Sequence, residues 1–384
     1  MRIALDCRAV FRGMGGIGRY AWCLLREFSR LDEVNEYVCY FTHLDLPEPL
    51  DLPSRFRIRR FRAGMVDDRF DQMMLPSLLN EDRIDVYHNP TFAVPLVRTR
   101  ARTVATIHDV VFRRHPNLVE HHLKSYLDLA TLRSCKAADH LITVSHFSKR
   151  EILSLYPAED HKLSVIHNGV ELRTGEDVSD RESFRPLTER VGLRYGMYVL
   201  YVGSIETKKN IGVLLQAFSR ISRTEEGQSL KLAIAGARND AAYPLESSIR
   251  ELGIEQRVKV LGYVSSNLLE ALYAGALVFV YPSLYEGFGF PPLEAMVRGV
   301  PTIVSDASSL PEVVGDAALL FDPNRPEQLA DVLTSFITDS QRRQEYSKRG
   351  VRQAARFTWR RCAEEHLRVY EQLSRIHEAA PLGV

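Results

Sequence analysis

The chain has 384 residues, 45% of them hydrophobic and 26% charged, which predicts a globular protein of two or three domains. Lys and Arg total 50 against 49 Asp and Glu, so the basic excess typical of nucleic-acid-binding proteins is absent. The five cysteines form no C-x-x-C pair, and the N-terminal run "MRIALDC" contains an aspartate and does not resemble a signal peptide. We therefore expect a cytoplasmic protein with free thiols, whose contact with a membrane, if any, is peripheral.

Short apolar and β-branched runs alternate with longer amphipathic stretches along the first half of the chain. Helices are predicted over residues 18–29 and 120–136, each lying between two predicted strands. Alternation of this kind predicts βαβ units around a parallel sheet. The predicted strands of this half cover residues 2–6, 36–41, 56–61, 84–88, 103–108, 140–145 and 163–168.

The same alternation repeats in the second half, after a polar stretch that we interpret as a linker with a lead-in helix. The pattern predicts an α/β fold of two Rossmann-like, doubly wound parallel-sheet domains with an interdomain cleft, where ligands bind beyond the carboxyl ends of the strands. The predicted parts are residues 1–172, the linker 173–192, residues 193–356, and a C-terminal helix, 357–384, expected to pack back towards the N-terminal domain. The strands predicted in the second half cover residues 198–203, 230–236, 258–262, 277–282, 301–305 and 318–321.

A glycine-rich segment, "RGMGGIGRY", follows the first predicted strand and spells G-x-G-x-x-G, the fingerprint of a dinucleotide-binding turn. A dinucleotide fold places its first glycine directly after the strand and an acid at the end of the second strand, and this chain does neither. A nicotinamide enzyme is therefore disfavoured. Gly15 and Gly16 instead begin a helix whose N-terminus favours an anion, and a flexible turn without a ligand is the alternative.

Two glutamates with seven residues between them stand in "LVFVYPSLYEGFGFPPLEAMVRGVP", residues 277–301. Glu286 is predicted in a loop at the carboxyl end of a buried strand, and Glu294 in the first turn of a helix that begins near Pro291. The glycines beside Glu286 expose N–H groups, and the helix N-terminus favours a diphosphate. The alternative is that Glu286 is solvated and Glu294 only complements the helix dipole.

The E-x7-E stretch resembles the signature of the retaining GT-B glycosyltransferases of family 4, the glycosyl transferases group 1, and especially their mannosyltransferase-like members. Other segments resemble the family in the same order, so the resemblance covers nearly the whole chain. They are "GMGGIGRYAWCLL", "TIHDVVF", "ITVSHFSKREI", "VIHNGV", "YVGSIETKKNIGVLLQAF" and "SSLPEVVGDAALLFDP".

The resemblance implies a role for several charged residues. Lys209 would contact the leaving diphosphate, and Lys208 beside it replaces the arginine usual in the family, losing a planar bidentate donor. His108 would contact the donor sugar, and Asp109 would lie near the acceptor. Glu286 would hold sugar hydroxyls and stabilise the positive charge that develops on the sugar. The catalytic set implied is Glu286, His108, Lys209 and Asp109.

The resemblance also implies the reaction: transfer of a hexose, with mannose from GDP-mannose expected first, to a glycan or a polyprenyl-diphosphate-linked glycan in bacterial surface polysaccharide synthesis. Retention of the anomeric configuration is expected, with no cofactor and no metal, since the chain has no D-x-D motif. A UDP-sugar-dependent transferase and a catalytically silent nucleotide-sugar-binding subunit are the alternatives. Residues 1–172 would bind the acceptor and residues 193–356 the nucleotide sugar. The implied donor-binding residues are Gly15, Gly16, Ser204, Lys208, Lys209, Tyr263, Gly287, Phe288, Gly289 and Glu294.

A basic run, "SRFRIRRFRAG", coincides with the third predicted strand. Strand alternation places Arg55, Arg57 and Arg59 on one face, with Arg60 and Arg62 extending the positive charge. One interpretation is a surface that faces anionic lipid or a polyprenyl diphosphate acceptor. The other, slightly favoured, is a solvated edge strand protected by its charge from pairing with other chains.

Overall fold

A computed structural model shows that the chain forms two compact units. The first comprises Met1–Gly169 and Trp359–Val384, and the second comprises Val170–Thr358. Among the described residues, no helix combines the length and apolar character needed to cross a bilayer. The structure describes residues 1–11, 13–43, 45–47, 49, 51–61, 70–119, 121–172, 184–237 and 243–379.

A seven-stranded, entirely parallel sheet forms the centre of the first unit. Its strands are β1 (Arg2–Asp6), β2 (Glu36–Phe41), β3 (Phe56–Arg60), β4 (Val86–Asn89), β5 (Arg102–Ile107), β6 (His140–Thr143) and β7 (Leu163–Val165). The spatial order is β3-β2-β1-β4-β5-β6-β7. The central strands are almost continuously buried because helices cover both faces of such a sheet. The strand order reverses between β1 and β4, and ligands of doubly wound folds gather at the carboxyl ends of strands near such a point.

The helices of the first unit include the last long helix of the chain. They are α1 (Gly16–Leu31), α2 (Leu75–Glu81), α3 (Val111–Arg114), α4 (His121–Ala137), α5 (His146–Leu155) and α14 (Trp359–Ala379). Helices α6 to α13 belong to the second unit. Single 3-10 turns cover Pro116–Leu118 and Asp160–Lys162, and a π-helical turn, Phe70–Met74, leads into α2. Helix α1 packs against α14 through a buried face that includes Tyr20, Leu24 and Phe28.

The second unit repeats the design with a six-stranded parallel sheet. Its strands are β8 (Tyr198–Val202), β9 (Lys231–Ala235), β10 (Val258–Gly262), β11 (Val278–Tyr281), β12 (Thr302–Ser305) and β13 (Leu319–Phe321). The order β10-β9-β8-β11-β12-β13 again reverses at its centre, so β8 and β11 are neighbours although 75 residues, 203–277, lie between them in the sequence. The loops that follow these two strands therefore begin side by side.

Helices alternate with these strands along the second unit. They are α6 (Arg185–Arg190), α7 (Ile211–Ile221), α8 (Leu245–Glu251), α9 (Ser266–Gly275), α10 (Phe290–Val297), α11 (Leu310–Val314), α12 (Pro326–Thr338) and α13 (Ser340–Ala354), with 3-10 turns at Thr207–Lys209 and Gly315–Ala317. Gly289 is the N-cap of α10 with a φ of +115°, and a Cβ there would lie 2.8 Å from Leu310 Cδ2. Only glycine fits this helix start without strain.

The two sheets confirm the prediction of two doubly wound parallel-sheet units, and every predicted strand has a counterpart. The differences lie in the helices. The π-helical turn and α2 have no sequence prediction, because Pro76 and a short apolar run give no clear helical period. Residues 173–183 of the predicted linker lie outside the described residues, while the lead-in helix is α6.

The basic run on β3 is largely engaged within the first unit. Arg57 and Arg59 form ion pairs with Asp82, and Arg55 donates to the backbone carbonyls of Ser29 and Asp32. The strand lies at the edge of the sheet, so the geometry favours the charged edge strand over a free basic surface. Arg62, the last arginine of the predicted run, lies outside the described residues.

Candidate functional site

The loops after β8 and β11 are tied together by backbone hydrogen bonds. The backbone carbonyl of Lys208 accepts from the Leu284 N–H at 2.8 Å and from the Ser283 hydroxyl at 3.1 Å. Lys209 closes the 3-10 turn Thr207–Lys209 that leads into α7. These contacts bring two segments that are distant in sequence to one place at the carboxyl edge of the second sheet, as the fold predicts.

A compact polar cluster surrounds Glu286. Its Oε1 lies 2.6 Å from the Lys209 ammonium nitrogen and accepts hydrogen bonds from the hydroxyls of Tyr281 at 2.8 Å and Ser283 at 2.7 Å. Lys209 also donates to the Tyr281 hydroxyl at 2.9 Å. Thus one carboxylate oxygen receives three donors, and among the described residues no hydrogen bond to Oε2 is found. The lysine has a third proton beyond these two contacts.

The electrostatics of the cluster favour an ion pair. Burial alone would raise the pKa of Glu286, but the positive charges of Lys209 and Lys208 and the hydrogen bonds to the carboxylate more than offset it and lower the pKa. Burial likewise lowers the pKa of Lys209, but Glu286, with smaller contributions from Tyr201 and Glu206, more than offsets it, so the pKa is raised. The side chains are only 11% and 13% exposed, and both are therefore charged at neutral pH in a mostly dry setting.

The backbone around Glu286 is fixed by two serines of the segment before α11. The Glu286 N–H donates to the Ser308 hydroxyl at 3.0 Å, and the Ser309 hydroxyl donates to the carbonyls of Glu286 and Phe288 at 2.9 and 2.8 Å. Ser308 has a φ of +56°, a rare conformation for a residue with a side chain. The sequence prediction missed these serines as site residues, although they stand in the segment "SSLPEVVG" that resembles the family.

Glu294 lies in a different environment from the one predicted. Helix α10 begins at Phe290, so Glu294 is its fifth residue and stands beyond the first turn, contrary to the prediction. It is 7% exposed, and its Oε2 accepts from the Tyr273 hydroxyl at 2.9 Å. Because the dipole effect falls off within the first turn, complementing the helix N-terminus does not explain this buried acid.

The start of α10 has fewer backbone N–H donors than the sequence predicts. Pro291 and Pro292 occupy its first turn and have no N–H group. The predicted N–H donors therefore reduce to those of the preceding loop, where Gly287 and Phe288 lie, and of Gly289 and Phe290. The helix dipole itself remains.

Within the described part of the chain, the side chains of the remaining donor residues predicted in the second unit make no hydrogen bond to Glu286. Ser204 follows β8, and its carbonyl accepts from the Tyr201 hydroxyl at 2.9 Å. The Lys208 ammonium lies 3.8 Å from Glu206 and is not part of the Glu286 hydrogen-bond group. Tyr263 follows β10, two strands away from β8, and is 78% exposed. The structure brings Lys209 and Glu286 into contact, but gives no contact between either and Tyr263.

His108 and Asp109 directly follow β5 in the first unit. The His108 Nε2 lies 2.9 Å from the Pro90 carbonyl oxygen, which only accepts, so Nε2 carries the proton and Nδ1 is an acceptor. Burial lowers the pKa of His108 to about 4, more than the Pro90 hydrogen bond and Asp109 raise it, so the ring is neutral at pH 7. The Asp109 Oδ1 accepts from the Val111 N–H at 3.0 Å, at the start of α3.

The glycine segment builds the N-terminus of α1, as predicted. Gly15 is the N-cap and Gly16 the first helical residue, and a Cβ on Gly15 would meet no atom within 4 Å. Gly18 differs, because a Cβ there would lie 2.3 Å from the Ala9 carbonyl oxygen. Gly15 therefore leaves open space at the helix start, while Gly18 allows the strand-to-helix connection to pass close over α1.

Two family models together match most of the chain. The one described as "Glycosyl transferases group 1" matches residues 195–353, and the one described as "Glycosyltransferase Family 4" matches residues 14–174. The O-antigen chain mannosyltransferase B of Escherichia coli is 35% identical over 97% of this chain and 100% of its own length. The chain belongs to the family 4, group 1 glycosyltransferases. It is therefore a glycosyltransferase that transfers a hexose, and the nicotinamide interpretation of its glycines is wrong.

Other similarities agree with this assignment. The O-antigen chain mannosyltransferase RfbU of Salmonella typhimurium is 30% identical over 63% of this chain and 65% of its own length. Among solved structures, the sucrose-phosphate synthase of Thermosynechococcus elongatus superposes with a TM-score of 0.75 at 19% identity, covering 97% of this chain and 99% of that one. The GT-B fold that the sequence predicted is confirmed.

Proposed function

We propose that this family 4 glycosyltransferase moves mannose from GDP-mannose to a lipid-linked glycan in bacterial surface polysaccharide synthesis, with retention of configuration and without a metal or other cofactor. The observation that carries the proposal is the buried contact of 2.6 Å between Lys209 and Glu286 at the carboxyl edge of the second sheet. The choice of mannose and of a surface glycan is supported by two relatives that are named O-antigen mannosyltransferases.

Lys209 stabilises the departing nucleoside diphosphate. Negative charge builds on the phosphate oxygens as the bond to the sugar breaks, and a fixed cation in a site of low dielectric is well suited to meet it. Two of the three ammonium protons serve Tyr281 and Glu286, and the third is left for a phosphate oxygen. A fixed lysine at this position supplies positive charge without a bound metal ion.

Glu286 acts on the sugar through the oxygen that the cluster leaves open. Tyr281, Ser283 and Lys209 all bind Oε1, which leaves Oε2 of this 13% exposed side chain to act on the sugar. There it accepts hydrogen bonds from sugar hydroxyls and stabilises the positive charge of an oxocarbenium-like transition state. Because Lys209 keeps the pKa of Glu286 low, the carboxylate is ionised at neutral pH and does not serve as a proton donor.

In the transfer step we propose, the acceptor hydroxyl attacks the anomeric carbon from the same face from which the leaving group departs. The bond between the anomeric carbon and the phosphate oxygen breaks, and a bond forms between that carbon and the acceptor hydroxyl oxygen. The hydroxyl proton passes to the departing phosphate, so no side chain forms a covalent intermediate. The protein then contributes position and electrostatics.

His108, Asp109 and Glu294 complete the proposed assignment. His108 offers Nδ1 as a fixed acceptor for a hydroxyl of the donor sugar, since Nε2 is committed to Pro90. Asp109 lies near the acceptor, and the buried carboxylate of Glu294, which also accepts from the Tyr273 hydroxyl, accepts from the ribose diol. The acceptor is a polyprenyl-diphosphate-linked glycan, reached by peripheral contact with the cytoplasmic face of the membrane.

A donor panel tests the proposal. The purified chain is incubated with GDP-mannose, UDP-glucose, UDP-galactose and UDP-N-acetylglucosamine, and release of nucleoside diphosphate and transfer to a lipid-linked acceptor are measured with and without EDTA. We expect GDP-mannose to be preferred, with no effect of EDTA. A preference for a UDP-sugar would overturn the donor assignment. Binding of a donor without turnover of any would favour the silent subunit.

The role of Glu286 is tested separately with Glu286→Ala against Glu189→Ala. Glu189 is an exposed glutamate of α6 in the same unit and serves as the matched control. Loss of a group that stabilises developing charge typically lowers kcat about 100- to 1,000-fold. We expect this loss for Glu286→Ala only. Transfer at the unaltered rate would remove Glu286 from the mechanism.

A further inference from the structure

A buried row of hydrogen bonds runs through the first unit from α14 back to α14. The Tyr370 hydroxyl lies 2.6 Å from His88 Nδ1, and His88 Nε2 lies 2.8 Å from the Thr106 hydroxyl. Thr106 lies 3.0 Å from the Tyr20 hydroxyl, which lies 2.6 Å from His366 Nε2. All five side chains are fully buried, each with a relative exposure of 0%.

The direction of this row follows from its last member. His366 Nδ1 lies 2.7 Å from the Cys362 carbonyl oxygen, which only accepts, so Nδ1 carries the proton and Nε2 of the neutral ring accepts from Tyr20. The single proton of Tyr20 is then used, and its oxygen accepts from Thr106. By the same count, His88 donates from Nε2 to Thr106, and its Nδ1 accepts from Tyr370. Each ring nitrogen in the row is therefore either a donor or an acceptor, and the hydroxyls of Thr106 and Tyr20 each accept one hydrogen bond and donate one.

The row also reaches His108 through Tyr20. The rings of Tyr20 and His108 are perpendicular, with centroids 4.9 Å apart. The Phe92 ring also contacts His108 edge-to-face, with centroids 5.9 Å apart and an interplanar angle of 65°. The Pro90 carbonyl fixes the Nε2 corner of the same ring. The orientation of the His108 acceptor nitrogen therefore depends on where Tyr20 stands, and Tyr20 is fixed by Thr106 and His366.

We propose that Tyr20 and His366 are positioning residues for His108, and that α14 thereby sets the direction of the acceptor nitrogen offered to the donor sugar. The inference rests on the proposed contact between His108 and that sugar. Buried polar groups are costly unless each is hydrogen-bonded, and a fully satisfied row specifies one packing arrangement more strictly than apolar contacts do. A reaction that depends on the direction of one hydrogen bond gains from such a constraint.

The first test reads the protonation sites without any substrate. In the ¹⁵N-histidine-labelled protein at pH 7, two-bond ¹H–¹⁵N correlation spectra distinguish the two neutral ring forms, with signals assigned from single His→Gln variants. We expect the Nδ1–H form for His366 and the Nε2–H form for His88 and His108. The Nε2–H form at His366 would overturn the direction of the row. This result does not depend on the donor, so it stands apart from the proposed function.

The second test asks whether His366 acts through His108. His366→Leu removes the acceptor for Tyr20, His366→Gln restores an acceptor, and Val369→Ala truncates a buried side chain of the same helix outside the row. We expect about a tenfold lower kcat for His366→Leu, the size of effect that one misdirected hydrogen bond produces. We expect near-normal kcat for the Gln and Ala variants, and a displaced His108 signal only in the Leu variant.

A double-mutant cycle decides between positioning and general destabilisation. In a His108→Ala background, His366→Leu should lower kcat no further, because the group it positions is gone. An equal loss in both backgrounds, or a His366→Leu kcat equal to that of Val369→Ala at the same temperature, would reduce the row to a structural feature. If His366→Leu does not fold, the spectra of the wild type and the His366→Gln variant still decide the direction.

Discussion

Removing the charge of Lys209 should strongly destabilise the second unit. At 2.6 Å and an effective dielectric of about 20, the attraction between Lys209 and Glu286 is about 6 kcal/mol. Desolvation of the two ions offsets much of this, so the intact pair adds little net stability. Lys209→Met leaves the carboxylate buried without its cation, and such a change costs about 3–5 kcal/mol.

The double variant separates this explanation from a simple loss of packing. Glu286→Gln alone leaves the Lys209 ammonium buried without its counter-ion, and we expect the free energy of unfolding to fall by a similar amount, about 3–5 kcal/mol. Lys209→Met combined with Glu286→Gln removes both charges, and because the intact pair adds little net stability, the loss should fall below the sum of the two single losses by more than about 2 kcal/mol. All three variants should lose transfer activity, since both proposed roles require the charges.

The measurement must report the second unit specifically. Both tryptophans, Trp22 and Trp359, belong to the first unit, so their fluorescence in urea serves as an internal control. Hydrogen exchange of peptides from β8 and β11, which carry the cluster, gives the free energy of opening of the second unit. Additivity of the two single losses within about 0.5 kcal/mol would refute the assigned ion pair.

Two further predictions concern the first unit. Gly18→Ala should destabilise it and lower activity, because the new Cβ would lie 2.3 Å from the Ala9 carbonyl oxygen. Gly15→Ala should be nearly neutral, because its Cβ would have no atom within 4 Å. Equal melting temperatures for the two variants would contradict this prediction. Burial lowers the pKa of His108 and of His366 from 6.5 to about 4. As the pH falls from about 6.5 to 4, the unfolded chain therefore binds protons before the folded chain does. The free energy of unfolding should decrease over this range by up to about 1.4 kcal/mol per pH unit for each group. Urea unfolding at pH 7 and pH 5 should show a smaller fall for His366→Gln, and an unchanged pH dependence would argue against a neutral buried His366.

The sheets were predictable because each strand carries its own signal. The run "RIALD" is apolar, short and bounded by polar residues, and it forms β1 at its predicted residues, Arg2–Asp6. The run "EYVCYF" forms β2, Glu36–Phe41, in the same way. Parallel strands buried on both faces read as continuous apolar runs, and Gly15 before an amphipathic stretch marks the start of α1. These signals are local, so a single sequence contains them.

The contacts within the site could not be predicted, because they depend on which distant side chains meet. Nothing local indicates that Tyr281 and Ser283 would both donate to Oε1 of Glu286, or that Lys209 would complete the group from another loop. Asp82 neutralises two arginines of β3 from the end of α2, a helix without a clear sequence signal. The local sequence pattern predicted the positive charges of that strand but not the carboxylate that pairs with them.

The two units carry different electrostatics at the carboxyl edges of their sheets, and each suits a different part of the proposed recognition. In the second unit, Lys209 and Glu286 remain ionised in a mostly dry setting, which suits a phosphate and a developing positive charge. In the first unit, His108 is neutral and has one fixed acceptor nitrogen, which suits a sugar hydroxyl and offers nothing to a phosphate. A charged His108 would donate from both nitrogens and lose this selectivity. Burial of the imidazole is therefore part of the proposed recognition, and the row that begins at Tyr370 keeps that buried ring in one orientation.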